Sequence, residues 1–469
     1  MILSDLKEID YSKYPVVIFG SGPAGVSTAL ELERNNIPSI IIEAGDQFYS
    51  EASQEFYKGD SNKTFITDIS KSRLRQFGGT SGLWGGWCKP LEKFAFDTWP
   101  ITQKDLEIYQ DKTCKILDIK NQFRQIPLND KFNQNEFQYS TVRFGEKYEN
   151  HIKKSNKILL VLNTQLSHFN GSNGKINSAI CISKNEKTAI SSKIFILACG
   201  GIENSRILLW SQEKNNKLIN PDLPIGKYWM THSWILSGAG ILDEKKLIKN
   251  MNNNYLKYDG AIHLSSSEKF VKNNNILSSG LYMNKKEDMS VQKEIIKDLL
   301  CAAPDYGKKV AKMLFNKDLK CGNIFMHVEN EAAQNNMIGL SVDNYDKNNI
   351  PQANVIYPNR KNAIVSAKLF LEQLAIFFKE NDIGRIAMNQ KMFNLEDFEQ
   401  LGNYHHMGGT RMGKNIKTSV VDKNLKIHGL DNLYTNGSSN FSTGCYSNPT
   451  FTIIQLSLRL ADNIKKVLN

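Results

Sequence analysis

The stretch VVIFGSGPAG, at residues 16–25, decides the fold of this chain. Its four apolar residues end at a glycine, as a buried parallel strand does, and the residues from Pro23 to Arg34 have the apolar spacing of a helix. A second apolar strand over residues 39–43 completes a βαβ unit. The stretch therefore predicts an α/β domain built like a Rossmann fold.

The three glycines of this stretch predict a dinucleotide site. Gly20 allows the tight turn, Gly22 lets the backbone approach a pyrophosphate, and Gly25 lets helix and strand pack closely. The helix N-terminus offers free N–H groups to the phosphates. Glu43 ends the second strand, where its carboxylate can accept from the hydroxyls of an adenosine ribose. These residues do not separate FAD from NAD.

Two further glycine-rich segments extend the predicted site. A strand over residues 187–197 leads into Cys199-Gly200-Gly201 and a helix over residues 203–211, which repeats the first strand–glycine–helix junction. The loop FGGTSGLWGGW, at residues 77–87, could lie against a flat ring, with Trp84 and Trp87 at its mouth. An ordinary surface loop with buried tryptophans is the alternative interpretation of that loop.

The rest of the chain predicts a second unit interleaved with the first. Strands are predicted at 157–162 and 175–183, and the polar stretch 121–138 is predicted to be an excursion or lid. Residues 233–400 favour an antiparallel sheet with covering helices. Helices are predicted within 100–119 and over 148–155, 364–379 and 452–468. We expect a cofactor domain over 1–99, 140–232 and 404–469, a lid or excursion over 100–139 and a substrate domain over 233–403.

The composition is that of a globular protein. The chain has 469 residues, 41% hydrophobic and 10% aromatic, and no apolar run approaches the roughly 18 residues of a membrane span. Acids near the N-terminus do not match a signal peptide, and the seven cysteines are scattered without a zinc-type pair, so we expect a cytoplasmic protein with no metal. The net charge of +11 lies in Lys- and Asn-rich loops, and we expect no nucleic-acid partner.

The C-terminal segments HHMGGTRMG, at 405–413, and NPT, at 448–450, carry the predicted chemistry. Oxidation of an alcohol needs a base for the hydroxyl proton and a hydride acceptor that faces the carbon. Histidine is suited to act as the base, and a neighbouring asparagine can hold the substrate oxygen. A structural histidine and a turn at a helix start are the alternatives for these two segments.

With these motifs the chain resembles the glucose–methanol–choline (GMC) oxidoreductases, which are flavoproteins. The segments that resemble the family's motifs are 20–25 with Glu43, 77–87, 196–209, 225–232 and 432–462. The resemblance implies that His405, counted back from Met412-Gly413, takes the hydroxyl proton while hydride passes to N5 of FAD. It places Asn448 at the second catalytic position and leaves His406 as the alternative base.

The resemblance also implies the cofactor contacts and the ligands. Leu83 stands where some members carry the histidine that tethers the flavin, so we expect non-covalent FAD. The short motifs look most like the branch of pyranose oxidases and gluconate and fructose dehydrogenases, which implies a sugar or polyol substrate. Oxygen, a quinone or a redox protein would accept the electrons.

The resemblance also implies which residues contact FAD. The expected FAD contacts are Gly20, Gly22, Pro23, Ala24, Gly25, Glu43, Ala44, Gly45, Gly79, Thr80, Ser81, Trp84, Gly85, Leu166, Ala198, Cys199, Gly200, Asn204, Gly437, Ser438, Asn448, Pro449 and Thr450.

Three other functions stay open at this point. The substrate could be an alcohol other than a sugar, the fold could host a lyase in which FAD is structural, or the protein could bind flavin without catalysis. The residues do not separate an oxidase from a dehydrogenase, because oxygen reactivity depends on the surroundings of the flavin.

Overall fold

The computed structural model describes residues 1–4, 6, 9–62, 68–243, 262–283, 319–358, 361–389 and 404–469. Parts of the predicted substrate domain, at 244–261, 284–318, 359–360 and 390–403, lie outside the described residues.

A six-stranded sheet, parallel throughout, forms the first layer of the fold. Its strands, in spatial order, are Ile2–Leu3, Ile158–Val161, Ser39–Ile42, Val16–Phe19, Ile194–Leu197 and Leu433–Thr435. The inner strands are continuous apolar runs because both faces of the sheet are covered. The predicted parallel sheet is confirmed.

Helices cover this sheet and begin where its strands end. Pro23–Arg34 follows the first glycine junction and packs against the C-terminal helix Thr450–Leu468. Gly200–Lys214 follows the second junction, and Phe144–Lys154 precedes the strand Ile158–Val161. All four helices were expected from the sequence, with ends that differ by a few residues.

An antiparallel sheet of seven strands forms the second unit. Its strands, in spatial order, are Gly384–Met388, His232–Asp243, Leu319–Glu329, Ser279–Met283, Ile262–Ser266, Phe132–Asn135 and Gln125–Pro127. The helix predicted over 364–379 is observed as Lys361–Glu380. Its apolar face packs in one core with Phe132, Leu281 and Met326. This confirms the predicted α/β fold with an interleaved antiparallel sheet.

Two details of the predicted secondary structure were wrong. The strand predicted over 187–197 is two strands, Glu186–Ile190 and Ile194–Leu197, in different sheets. The unpredicted strand Gln165–Ser172 pairs with Lys175–Ser183. The polar stretch 121–138, predicted to be an excursion or lid, supplies the edge strand Gln125–Pro127 of the seven-stranded sheet and its neighbour Phe132–Asn135, in which Asn133, Gln134 and Asn135 are buried. Polarity alone therefore did not predict that this stretch forms strands.

The smaller elements connect the two units. Met337–Tyr345, Pro351–Ile356 and Gly59–Ser61 form a three-stranded sheet, and Trp87–Cys88 pairs with Gln138–Tyr139. The remaining elements are the α-helices Glu51–Gln54, Lys104–Glu107, Gln110–Leu117 and Glu268–Asn274, the strand Glu186–Ile190, and the 3-10 helices Tyr11–Lys13, Glu55–Tyr57, Gly79–Gly82, Lys93–Thr98 and Ser438–Asn440. Among the described residues, no helix has both the length and the apolar character needed to cross a bilayer.

Candidate functional site

A cavity of about 790 Å³ lies between the two large sheets. On one side it is lined by residues that follow the carboxyl ends of the parallel strands, such as Gly20, Glu43, Ala198 and Gly437. This is the edge at which open parallel sheets bind their ligands. On the other side it is lined by side chains of the antiparallel sheet. We call the two sides the cofactor end and the substrate end.

The first glycine junction at the cofactor end has the geometry that the sequence predicts. Gly20 adopts a φ of +99°, and a Cβ on Gly25 would lie 1.9 Å from the Gly20 carbonyl oxygen, so both positions require glycine. The carboxylate of Glu43 is buried and accepts hydrogen bonds from the backbone N–H and hydroxyl of Ser21 and from the N–H of Gly45. These bonds fix Glu43 beside the turn.

The expected FAD contacts line this cavity, with the exception of Gly25, Gly45 and Asn204. Gly25 and Gly45 lie behind the lining, where Gly45 packs against the backbone of Arg75. Asn204 holds the second junction together, because its side chain accepts from the N–H of Cys199 and donates to the hydroxyl of Ser439. These three residues support the lining without being part of it.

Buried charges also lie beside the cofactor end. Glu203 makes ion pairs with Arg73, at 2.6 Å, and with Arg206, at 2.9 Å, and Arg206 also pairs with Asp346 at 2.7 Å. Burial acts to raise the pKa of Glu203, but the two guanidinium groups outweigh it and bring the pKa down to about 2. The guanidinium of Arg75, which lies over the ring of Phe56, lines the same cavity. Sequence reasoning did not single out these residues.

Aromatic and imidazole rings form the substrate end. The ring of His263 stacks on Phe137 at 4.4 Å and packs edge-on against Trp87, while His327 packs against Tyr282 and Trp234. The charged side chains that line the cavity come from other segments and are Glu43, Lys71, Arg73, Arg75, Glu203 and Arg206. Burial lowers the pKa of both His263 and His327 to about 3, which keeps these rings neutral near pH 7. Among the described residues, the rings that line the substrate end carry no charge and offer many flat surfaces.

The adjacent histidines 405 and 406 face different surroundings. Nδ1 of His405 lies 2.8 Å from Nδ1 of His232, and its ring packs against His327 at the substrate end. His406 instead bonds through Nε2 to the hydroxyl of Ser72, at 2.9 Å, and stacks on the buried Trp229. Burial lowers the pKa of His405 to about 4 and that of His406 to about 3. We call the rings of the substrate end, Trp87, Trp234, His263, Tyr282 and His327, the ring cluster. Of the two histidines, His405 is the one whose ring packs against this cluster.

Asn448 lies in the same cavity, directly before the C-terminal helix. Its amide nitrogen donates to the carbonyl oxygen of Trp87 at 3.0 Å, which fixes the orientation of the side chain. Its Oδ1 is buried and makes no hydrogen bond with any residue that the structure describes. Burying a polar atom without a hydrogen-bond partner costs free energy. A ligand bound in the cavity could supply the partner that this atom lacks.

Several side chains of the substrate end were missed from the sequence. His232 was noted only as the last residue of a family segment, and Trp234, His263, Tyr282 and His327 were not singled out. They come from separate antiparallel strands that the fold brings side by side. The alternating pattern of a strand places such residues on one face, but it does not show which face lines a cavity.

The cavity fits FAD, whose binding the glycine junctions predict. Gly200 has a φ of +88° and a Cβ there would meet no atom within 4 Å, so open space faces the second junction. One continuous cavity runs from the buried carboxylate of Glu43 to the orphaned Oδ1 of Asn448. The residues around Glu43 could hold the adenosine half of FAD, and those around Asn448 could hold the flavin half.

Comparison with known proteins gives a family match over part of the chain. Residues 340–457 match the family model GMC_oxred_C, described as GMC oxidoreductase. This match lies in the C-terminal part of the chain, which contains the two histidines 405 and 406 and Asn448. The chain is 26% identical over 302 residues to the 2-methyl-1,2-propanediol dehydrogenase of Mycolicibacterium austroafricanum, an alignment that covers 63% of this chain and 52% of the relative.

Another curated protein and two solved structures are also similar to this chain. The chain is 25% identical over 299 residues to the fructose dehydrogenase large subunit of Gluconobacter japonicus, which covers 60% of this chain and 51% of that subunit. The chain thus spans about half the length of these two curated relatives. The fold is similar to that of pyridoxine 4-oxidase from Mesorbium loti, with a TM-score of 0.64, 12% identity and coverage of 96% of this chain and 99% of that chain. An FAD-dependent oxidoreductase from Chaetomium thermophilum matches with a TM-score of 0.62 and 11% identity, over 97% of this chain and 99% of that chain.

Proposed function

We propose that this GMC-type protein binds FAD and oxidises the CH–OH group of a neutral sugar or polyol. The observation that carries the proposal is that His405 and Asn448 line the cavity that also holds the dinucleotide-type glycine turns. Bound FAD would supply the hydride acceptor, and every other group that the reaction needs comes from the chain. The proposed base and its partner both belong to the third part of the cofactor domain, residues 404–469.

His405 is the proposed base. Its Nδ1 is engaged by His232, so Nε2 is the nitrogen left to take the substrate's hydroxyl proton. Because burial lowers its pKa to about 4, the ring is unprotonated and able to accept at neutral pH. His406 is the less suitable base, since its Nε2 is engaged by Ser72 and its ring stacks on Trp229.

Asn448 is the proposed orienting group. With its amide nitrogen on the carbonyl of Trp87, the side chain is held at the wall and presents a neutral polar group to the cavity. An amide does not compete with His405 for the proton. The second N–H of the amide would donate to the substrate oxygen and hold it in line with the base.

The neutral rings of the substrate end support a neutral substrate. Among the described residues, these rings would give the carboxylate of a sugar acid no cation, which is unfavourable. Rings such as Trp87 and Tyr282 offer apolar faces to the C–H groups of a sugar ring. The names of the two curated relatives, one a diol dehydrogenase and the other a fructose dehydrogenase, are consistent with this substrate class.

The cofactor is proposed to be non-covalent. Leu83 lies at the cavity wall in the loop 77–87, at the position where the resemblance would put a tethering histidine, and a leucine side chain cannot form that bond. Acid precipitation should therefore release all of the flavin into the supernatant. Flavin that stays with the pellet would contradict this part of the proposal.

The test of the function is an anaerobic titration of the purified flavoprotein with neutral sugars, polyols and simple alcohols. Bleaching of the oxidised flavin by a sugar or polyol supports the proposal. Bleaching by a non-sugar alcohol alone would overturn the substrate class, and no bleaching by any alcohol would favour a lyase or a flavin-binding protein without redox turnover. Adding air, or a quinone, to the bleached protein then identifies the electron acceptor.

A further inference from the structure

The contact between His232 and His405 joins two ring nitrogens of the same kind. Their Nδ1 atoms lie 2.8 Å apart and the rings are nearly perpendicular, with centroids 4.9 Å apart. A hydrogen bond at this distance needs one proton between the nitrogens. Because a neutral imidazole carries one N–H, one ring donates and the other accepts.

The direction of this bond decides what His405 can do. If His405 donates from Nδ1, its Nε2 keeps a lone pair and can take a proton from the substrate. If His232 donates instead, His405 carries its proton on Nε2 and can only donate there. The second arrangement would make His405 useless as a base, so the tautomer of His232 matters for the reaction.

The surroundings of His232 favour the first arrangement. Its buried Nε2 lies beside the segment Gly444–Cys445, and the N–H groups of both residues already donate to Oε1 of Glu329, at 3.0 and 2.9 Å. A lone pair on Nε2 would therefore find no free N–H donor in this segment. Burial lowers the pKa of His232 well below its usual value, and the Cys445 backbone, which can accept from the ring, opposes this only in part. The ring is therefore neutral, and its Nε2 has no hydrogen bond of standard geometry among the described residues.

We propose that His232 is a positioning residue that carries its proton on Nε2, accepts the Nδ1–H of His405 and so leaves Nε2 of His405 free to deprotonate the substrate. This inference rests on the proposed function, in which His405 is the base. The substrate O–H bond breaks and its proton binds Nε2 of His405, while the hydride leaves the same alcohol for bound FAD, the oxidant. The imidazolium that results keeps its Nδ1–H on the His232 acceptor.

Three substitutions of His232 separate this role from simple packing. His232→Phe keeps a flat ring but removes the acceptor, His232→Asn replaces Nδ1 by an amide oxygen, and His232→Asp offers an acceptor with no hydrogen to donate. We expect His232→Phe to lower the anaerobic rate of flavin reduction by about 10²–10⁴-fold, the range for loss of a positioned base or of its tautomer. We expect His232→Asn to stay within about tenfold of the wild-type rate, since it restores the acceptor.

The pH dependence of flavin reduction gives a readout that packing does not move. The titratable groups that face His232 are His405 and His327, and Glu329 lies behind Gly444–Cys445. In His232→Asp the carboxylate would favour the charged form of His405, so the midpoint of the rate–pH profile should move to higher pH than in the wild type. A midpoint that stays in place would contradict the proposal.

The outcome for His405→Ala distinguishes the two proposals. If His405→Ala is reduced normally, the proposed function itself fails. If His405→Ala is inactive while His232→Phe is reduced at the wild-type rate with full flavin content, only the role of His232 is overturned. Should His232→Phe not fold, slow reduction in His232→Asn together with an unmoved midpoint in His232→Asp would overturn it equally.

Discussion

Replacing Asn448 by alanine tests how the substrate oxygen is held. The substitution removes an amide whose nitrogen donates one N–H to the carbonyl of Trp87 and has a second N–H to donate to the substrate oxygen. As the proton leaves, negative charge grows on the substrate oxygen, and a hydrogen bond to a charged group contributes about 1.5–3 kcal/mol. Asn448→Ala should therefore lower the rate of flavin reduction by about 10- to 150-fold.

The assay is anaerobic stopped-flow reduction of the flavin by a bleaching substrate. Ser447→Ala is the matched control, because the Ser447 hydroxyl is buried in the preceding position, lies outside the cavity lining and has no hydrogen-bond partner among the described residues. Ser447→Ala should keep the wild-type rate, and both variants should keep their flavin. An unchanged rate in Asn448→Ala, or an equal loss in Ser447→Ala, would refute the assignment of Asn448.

The remaining predictions concern the cofactor, pH and stability. Glu43→Ala should lower the flavin content of the purified protein, since it removes the proposed ribose acceptor and leaves the Ser21 N–H without its carboxylate; full flavin content would contradict this. The rate of flavin reduction should be constant between about pH 6 and 8 and fall as pH drops through about 4, where His405 gains a proton; a midpoint near 6.5 would contradict the burial argument. Arg206→Met should lower the free energy of unfolding by about 3–5 kcal/mol in urea titrations, because it leaves Asp346 without its cation; a change below about 1 kcal/mol would show that the network is dispensable.

Local patterns were enough to predict the two strand–glycine–helix junctions at the cofactor end. The apolar runs that stop at Gly20 and Gly200 specify both strand–glycine–helix junctions, because each junction is short and its conformation depends on glycine. Gly25, Gly45 and Asn204 belong to these motifs but hold the junctions from behind. A motif therefore locates a site without separating its lining from its supports.

The substrate end could not be predicted in the same way. His232, His263 and His327 lie on three different strands, and only the pairing of those strands brings their rings together. The buried polar strand Phe132–Asn135 was not predicted as a strand for the same reason, since the partners of its polar side chains, such as Ser265 for Asn135, are distant in sequence. Strand pairing over such distances leaves no mark in a local pattern.

The most direct test of the central claim compares His405→Ala with His406→Ala under anaerobic conditions. Both variants should be yellow and folded, and a substrate that bleaches the wild-type flavin should fail to bleach His405→Ala on the same time scale. His406→Ala should still be bleached, because His406 faces Ser72 and Trp229 instead of the ring cluster. Normal bleaching of His405→Ala would contradict the account.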